Sequence, residues 1–483
     1  MSSVRKNFAY QSLYQATTML LPLITSPYLA RVLGANQIGI YSYTYAVAFY
    51  FSMFALLGIG NYGNKAIASV RDFPEKLNVV FSSLLIAHLF FGVVASLLYY
   101  VYVFSVESEL KSIMLIQGLW VVGALFDISW FFFGIEFFRL TVIRSMVVKI
   151  LMTVLLFVFV REKNDVGVYC LIMSLGTLVS QLLLWPFLRG KVKFVPVKTC
   201  DVLQHVKPMM ILFVPVVAIS LYRYMDKILL GILSTKEHVG YFENAEKAMN
   251  IPISIVNSFG LVMLPRMANL FSKGSDEECL ATVEKSMEFI LCLACAMAFG
   301  MAAIAKRFSI VFWGGEFAEC GILLQILCIS IFFMTIANVV RTQYLIPKGK
   351  NWPYVVSVCI GAVVNLVANF FLIPRYNSAG TAFALVMAEI SVCVAQLYFI
   401  RKDFPVTSFF RKSYFFLFWG MVMFAALYAI DFFFSSNMIA LIVQLVVGVA
   451  LYLIGCFAYF KKQKNAYFEN FVTRFFSKIK VSQ

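Results

Sequence analysis

The sequence predicts an all-α polytopic membrane protein with about fourteen transmembrane helices. Of its 483 residues, 61% are hydrophobic and 13% are charged, and the mean hydropathy is +0.85. Apolar runs of about 20 residues, long enough to cross a bilayer as a helix, recur along the whole chain. Because these runs lack period-two alternation, they exclude a transmembrane β-barrel. The composition is also far too apolar for a soluble globular protein.

We place the fourteen spans in chain order as follows: 11–31, 38–61, 79–104, 112–134, 140–160, 166–188, 209–233, 239–265, 287–305, 322–345, 353–373, 379–400, 413–431 and 438–460. Four prolines fall inside spans: Pro22, Pro27, Pro215 and Pro252. Each proline frees a backbone carbonyl that a neighbouring helix must satisfy, so bent helices are expected.

Lysine and arginine are distributed unequally between the two sides of the membrane. The side that holds the N-terminus carries 27 loop cations, whereas the other side carries 8, including Arg31. This bias predicts that both termini face the cytoplasm. The net charge of +16 therefore reflects membrane orientation and does not indicate nucleic-acid binding.

Cysteine and histidine positions predict neither disulfides nor a metal site. Cys200 and Cys279 fall in predicted cytoplasmic loops, Cys320 is alone in an external one, and most other cysteines lie in spans. The three histidines are far apart in the sequence and have no metal-ligand spacing. The first span lacks a cleavage site and is interpreted as a retained helix.

Long basic loops suggest a division into six, six and two helices. The predicted parts are an N-terminal six-helix lobe at 1–200, a C-terminal six-helix lobe at 201–405, and two additional helices with a basic cytoplasmic tail at 406–483. Each lobe begins with a proline-containing span followed by a Gly/Tyr turn. This similarity gives weak support for an internal repeat.

A charged hairpin interrupts the seventh and eighth spans. Its ionisable residues are Arg223, Asp226, Lys227, Glu243, Glu246 and Lys247. The i, i+3, i+4 spacing places each trio on one helical face. Intramembrane charges are retained where they pair with one another or face a wet cavity, and the spacing allows both interpretations.

The chain lacks the motifs of common enzymes. It contains no Walker loop, no His-Glu-x-x-His and no Gly-x-Ser-x-Gly, and the longest external loop, at about 306–321, is too short to hold an active site. We therefore expect a non-enzymatic protein without a cofactor, whose work is movement of a molecule across the bilayer.

Five segments resemble bacterial O-antigen and capsule repeat-unit flippases. They read SPYLARVLGA at 26–35, IGIYSY at 38–43, NYGN at 61–64, DISWFFFGIE at 127–136 and YMDKILLG at 224–231. These flippases are polysaccharide transporters of the superfamily that includes multidrug and toxin extrusion proteins and the lipid II flippase. The resemblance extends over roughly the first 400 residues.

The resemblance implies a specific cargo and mechanism. Two six-helix lobes would enclose a central cavity and flip an undecaprenyl-pyrophosphate-linked oligosaccharide to the periplasmic leaflet by alternating access. The location would be the bacterial inner membrane, with membrane lipids, a polysaccharide polymerase and a chain-length regulator as partners. Transport would be driven either by an ion gradient, with H⁺ or Na⁺ as the candidate coupling ion, or by downstream consumption of the product.

The resemblance also assigns substrate-binding residues. Arg31 matches an arginine that lines the cavity of the lipid II flippase, and Lys247 matches an arginine of its eighth span. With Arg223 and Lys227 they would form a cationic cavity for pyrophosphate. The second span departs from the lipid II pattern, with no acid near Ile40 and no paired arginines at Leu56-Leu57.

Other interpretations of these charges remain open. Arg31 could anchor a helix at the membrane–water interface, and the long side chain of Lys227 could reach the same interface. Arg223 could pair with Asp226, and Lys247 could pair with Glu243. The acids predicted to couple an ion or to pair with cations are Asp127, Asp226, Glu243, Glu246 and Glu389. Asp127 and Glu389 have no cation nearby in the sequence, which favours ion coupling, although hydrogen bonding to a neighbouring helix is an equal alternative.

Two other functions compete with the flippase. A drug or organic-cation exporter of the same fold would need carboxylates and aromatic rings, which a cation-lined cavity disfavours. A membrane-embedded polysaccharide polymerase or ligase would need a large external catalytic loop.

Overall fold

The computed structural model describes residues 2–106, 109–274, 276–403, 406–431, 433–434 and 436–462. Within these residues it consists of helices joined mostly by short turns, with a longer connection at 183–198 that contains a 3₁₀ turn at Trp185–Leu188. In chain order the α-helices are α1 (Ser2–Leu56), α2 (Ile59–Val70), α3 (Pro74–Ser105), α4 (Lys111–Leu125), α5 (Ser129–Gly134), α6 (Phe138–Phe159), α7 (Val166–Leu182), α8 (Thr199–Leu233), α9 (Lys236–Ser272), α10 (Asp276–Trp313), α11 (Glu319–Val340), α12 (Asn351–Ile400), α13 (Val406–Ile430) and α14 (Asn437–Lys462).

The predicted all-α membrane architecture is confirmed. Among the described residues, eleven helices are long and apolar enough to cross a membrane, and Tyr414–Ile430 is a shorter apolar helix. Two of the eleven contain a break in helical geometry, at Gly34 (φ 76°) and Asn377 (φ 48°). Counting each broken helix as two spans, every one of the fourteen predicted spans has a helical counterpart.

The breaks occur where the local sequence tolerates a left-handed backbone. Glycine has no Cβ to clash at positive φ, and asparagine enters this region more readily than most residues. Gly34 separates the first predicted span from the second, and Asn377 separates the eleventh from the twelfth. The four prolines noted in the sequence lie inside α1, α8 and α9.

The chain forms two compact units. The first comprises residues 1–247 and 362–384, and the second comprises 248–361 and 385–483. The first unit packs around Phe81 and Trp130, both almost completely buried. The second has a core around Met287 and Tyr344 and a further cluster around Phe416. These units group residues by spatial contact, whereas the six-six-two division groups helices by sequence and stays a prediction.

Several loop positions differ from expectation. Arg144 is among the 27 cations counted for the cytoplasmic side although the predicted span 140–160 contains it, and it lies inside α6. Cys320, expected in an external loop, lies in the first turn of α11 and is 0% exposed, and Cys279 is equally buried. Most of the predicted basic tail, at 463–483, lies outside the described residues.

The orientation can be tested at Cys200, the predicted cytoplasmic loop cysteine that is exposed. In a variant that keeps only Cys200, a membrane-impermeant thiol reagent should label the protein only after the cells are permeabilised. A cysteine placed at the exposed position of Ala318, in the predicted external loop, should be labelled in intact cells. Labelling of Cys200 in intact cells would reverse the orientation.

Candidate functional site

The two charged trios meet across the α8–α9 hairpin. The Lys227 Nζ lies 2.6 Å from the Glu243 Oε2 and 2.9 Å from the Glu246 Oε2. The other oxygen of Glu243, Oε1, lies 3.0 Å from the Lys247 Nζ. One lysine thus bridges two glutamates and one glutamate bridges two lysines. We call Lys227, Glu243, Glu246 and Lys247 the charge network.

The charge network is largely shielded and electrically balanced. The side chains of Lys227 and Glu243 are 10% and 12% exposed, whereas that of Lys247 is 31% exposed. Two positive and two negative charges cancel. Since a charge withdrawn from water must be compensated by an opposite charge, Lys227 depends on both glutamates for its place in the hairpin.

Asp226 lies next to Lys227 in sequence but faces different partners. It is 1% exposed and accepts hydrogen bonds from the side-chain amides of Asn369, at 2.7 Å, and Asn365, at 3.4 Å. None of the salt bridges among the described residues involves it. A carboxylate held by two neutral amides retains capacity for a proton or a small cation.

Aromatic rings of α1 border the charge network. Tyr224 stacks on Phe49 with ring centroids 3.7 Å apart, and the Lys227 Nζ lies 5.6 Å from the Tyr224 ring centroid. Tyr41 is buried against Tyr169, and the Tyr50 hydroxyl donates a hydrogen bond to the Ser220 carbonyl. These rings mainly contact protein, as tyrosines of a core do.

The remaining predicted residues lie elsewhere. Arg31 and Arg223 are exposed on α1 and α8. Asp127 sits in the turn between α4 and α5, where its Oδ1 accepts a hydrogen bond from the Ser129 backbone N–H at 2.8 Å. Glu389 is buried on α12, within the second unit. The structure therefore unites Lys227 and Lys247 with Glu243 and Glu246.

Two glycines, one just after the break in α1 and one in the first turns of α9, bring these helices into close backbone contact. A Cβ added to Gly39 would overlap the Lys236 carbonyl oxygen, and one added to Gly240 would overlap the Ala35 carbonyl oxygen. A real Cβ cannot approach so closely. Only glycine at both positions permits this approach of α1 and α9, which we call the glycine contact.

Sequence reasoning missed both the amides and the glycine contact. Asn365 and Asn369 carry one available signal, because they are four residues apart in an otherwise apolar span and thus share a helical face. Gly39 and Gly240 lie in the Gly/Tyr turns that follow the first span of each predicted lobe, but nothing in the sequence shows that they meet.

Comparison with known proteins identifies relatives of the chain. Residues 4–271 match the family model described as polysaccharide biosynthesis protein. A protein of Escherichia coli (strain K12) named a putative O-antigen transporter is 24% identical over 414 residues, which cover 83% of this chain and 97% of that protein.

Two solved structures share the fold. A lipid II flippase in an inward closed conformation matches with a TM-score of 0.76 at 14% identity, covering 94% of this chain and 100% of the other. An inward-facing multidrug resistance transporter matches with a TM-score of 0.56 at 11% identity, covering 81% of this chain and 99% of the other.

The two lysines of the charge network should contribute unequally to stability. Lys227→Gln leaves Glu246 without its lysine partner and removes one partner of Glu243. We therefore expect the free energy of unfolding to fall by about 3–5 kcal/mol, the range for breaking a buried ion pair. Lys247→Gln should cost clearly less, because Glu243 keeps Lys227. The melting temperature and the membrane abundance of both variants provide the measurement. Equal losses of stability in the two variants would show that Lys227 is no more important to the charge network than Lys247.

Proposed function

The chain belongs to the polysaccharide biosynthesis protein family, and we propose that it flips an undecaprenyl-pyrophosphate-linked oligosaccharide from the cytoplasmic to the periplasmic leaflet. The product would serve assembly of O-antigen or of another surface polysaccharide. The observation that carries this proposal is the relation to a putative O-antigen transporter along 97% of that protein's length. The many membrane-spanning helices provide the setting that such transport requires.

Within this proposal, the glycine contact is the outer closure of an alternating-access cycle. The topology predicted from loop charges places the turns at Gly34 and Ser234 on the periplasmic side. The break at Asn377 belongs to the same side, and its Oδ1 accepts a hydrogen bond from the Ser234 hydroxyl at 2.8 Å. The cargo would leave after these turns separate.

Pyrophosphate would be met by the more accessible cations. Lys247 is 31% exposed in its side chain, and Arg31 and Arg223 are exposed. Lys227 could join them only by exchanging a glutamate for a phosphate oxygen, because both glutamates already bind its ammonium group. The charge network would then change partners as the cargo moves.

Asp226 is the best-placed acid for a coupling proton or Na⁺. Its carboxylate is buried between neutral amides, so binding of a cation there would change the local charge without breaking an ion pair. Asp127 and Glu389 remain further candidates for the same role.

An organic-cation exporter of the same fold is the second candidate. The observation in its favour is that the charges of the hairpin balance, because three carboxylates, Asp226, Glu243 and Glu246, accompany Arg223 and two lysines. The hairpin alone therefore does not select an anionic cargo. Deletion of the gene should raise drug susceptibility if the chain is an exporter.

The flippase function predicts that cells lacking this protein accumulate a lipid-linked oligosaccharide in the cytoplasmic leaflet. The measurement is extraction of that lipid and its identification by mass spectrometry. Wild-type protein should clear the accumulated lipid, whereas Asp226→Asn should leave it in place at normal protein abundance. Unchanged lipid-linked sugars in the deleted strain would refute the proposal. If Asp226→Asn clears the accumulated lipid normally, Asp226 does not bind the coupling ion.

The outer closure predicts a strong effect of one methyl group. Gly39→Ala should reduce transport at least tenfold while the protein still reaches the membrane, because the added Cβ prevents the glycine contact. Gly60→Ala is the matched control, since a Cβ at Gly60 has no atom within 4 Å among the described residues. Transport by Gly39→Ala at the level of Gly60→Ala would show that the contact is dispensable.

A further inference from the structure

A strongly basic segment connects α7 to α8 in the first unit. Residues 189–198 read RGKVKFVPVK and contain four cations and no acid. We call them the basic segment. All four of its cationic side chains are exposed. They are Arg189, Lys191, Lys193 and Lys198.

The neighbouring side chains leave these four charges uncompensated. None of the salt bridges among the described residues involves them. The Lys191 Nζ lies over the Phe137 ring, 4.2 Å from its centroid. The first acid after the basic segment, Asp201, accepts a hydrogen bond from the backbone N–H of Lys198 at 3.0 Å and not from its ammonium group. The charges are therefore available to an anion from outside the protein.

The basic segment is fixed against α3. The Lys193 backbone N–H donates to the Asn78 Oδ1 at 2.8 Å, and the Val195 backbone N–H donates to the Ser82 Oγ at 3.1 Å. Val192 is buried in the core of the first unit. Because successive side chains of an extended chain point to opposite sides, burial of Val192 turns the lysines before and after it outward.

These contacts place the basic segment at a membrane surface. The helices on either side of it are long and apolar enough to cross a membrane. Asn78 and Ser82 lie where the predicted span 79–104 begins, on the side that the loop charges assign to the cytoplasm. The Phe194 side chain is 60% exposed between the cations. Cations and an aromatic ring thus lie at the level of the phospholipid headgroups.

An apolar stripe follows the basic segment along α8. Leu203, Met210 and Val214 are each more than half exposed, and their spacing places them on one side of the helix. Lys207 lies on the same side. Since this part of α8 is a candidate membrane span, the stripe faces acyl chains. An acidic soluble protein would bind the cations without using the stripe, whereas a phospholipid uses both.

We propose that the basic segment binds the headgroups of anionic phospholipids in the cytoplasmic leaflet, with their acyl chains against the apolar stripe of α8. Lysine and arginine near a negatively charged membrane surface each add to the attraction. Lipid bound here would hold the start of α8, the helix that carries Lys227, at the cytoplasmic surface. The site lies outside the charge network and does not depend on the proposed function.

Lipid titration of the purified full-length protein, followed by native mass spectrometry, tests the site. The probes are dioleoyl phosphatidylglycerol, which is anionic, and dioleoyl phosphatidylcholine, which has no net charge. The triple variant Lys191→Gln/Lys193→Gln/Lys198→Gln should weaken binding of phosphatidylglycerol about tenfold, because three of the four attractive charges are lost. Binding of phosphatidylcholine should not change.

The matched control is Lys273→Gln/Lys285→Gln/Lys402→Gln, which removes the same charge from exposed positions elsewhere on the predicted cytoplasmic side. It should bind phosphatidylglycerol as the wild type does. Changing the three lysines of the basic segment to arginine keeps the charge and should also preserve binding. If the triple glutamine variant fails to fold, Lys193→Gln/Lys198→Gln is the second variant. It leaves the contact of Lys191 with Phe137 in place and should weaken binding to an intermediate degree.

Binding of phosphatidylglycerol at the level of the matched control by the folded variants would overturn the site. An equal loss of both phospholipids would do so as well, since the effect would then not depend on headgroup charge. Undecaprenyl pyrophosphate without sugar is the third probe. If its binding alone is weakened, the basic segment receives the cargo and not a phospholipid. Because binding is measured without transport, neither result decides whether the chain is a flippase.

Discussion

The buried ammonium group of Lys227 fixes the geometry of the α8–α9 hairpin. The Lys227 side chain is only 10% exposed, and a charge withdrawn from water needs an opposite charge beside it, so Lys227 requires its contacts with Glu243 and Glu246. A one-residue slip would rotate either partner by about 100° and separate the charges. Asp226, the preceding residue, is thereby held towards the amides of α12. One lysine thus sets the register of three helical segments.

The charge network and the glycine contact share the first turns of α9. Gly240 precedes Glu243 by three residues, so the two lie on neighbouring parts of one helical face. Gly240 contacts the backbone of α1, whereas Glu243 binds Lys227 of α8. A movement that withdraws α9 from α1 must carry Glu243 with it, or the helix must deform. Separation at the glycine contact and rearrangement of the ion pairs are therefore mechanically linked.

Hydropathy sufficed to predict the spans, because every apolar run of membrane length has a helix in the structure. Helical spacing likewise predicted that Glu243 and Lys247 share a face. What the sequence could not supply was the choice of partners between helices. The pairing of Asp226 with Asn369, and the approach of Gly39 to Lys236, depend on how distant segments pack. Cys320 was misplaced because α11 begins at Glu319, three residues before the predicted span, and this small shift moves the side chain from a loop into a helix.

The charge of Asp226 is separate from the balance of the charge network. The network itself contains two positive and two negative charges, and the carboxylate of Asp226 adds one negative charge beside it. A proton or Na⁺ bound at Asp226 would cancel that charge without breaking a salt bridge, because the partners of Asp226 are the neutral amides of Asn365 and Asn369. Under the proposed function, occupancy of Asp226 would therefore change the electrostatic environment that an anionic headgroup meets at the hairpin, and an ion gradient could act on the passage of the cargo through this one carboxylate.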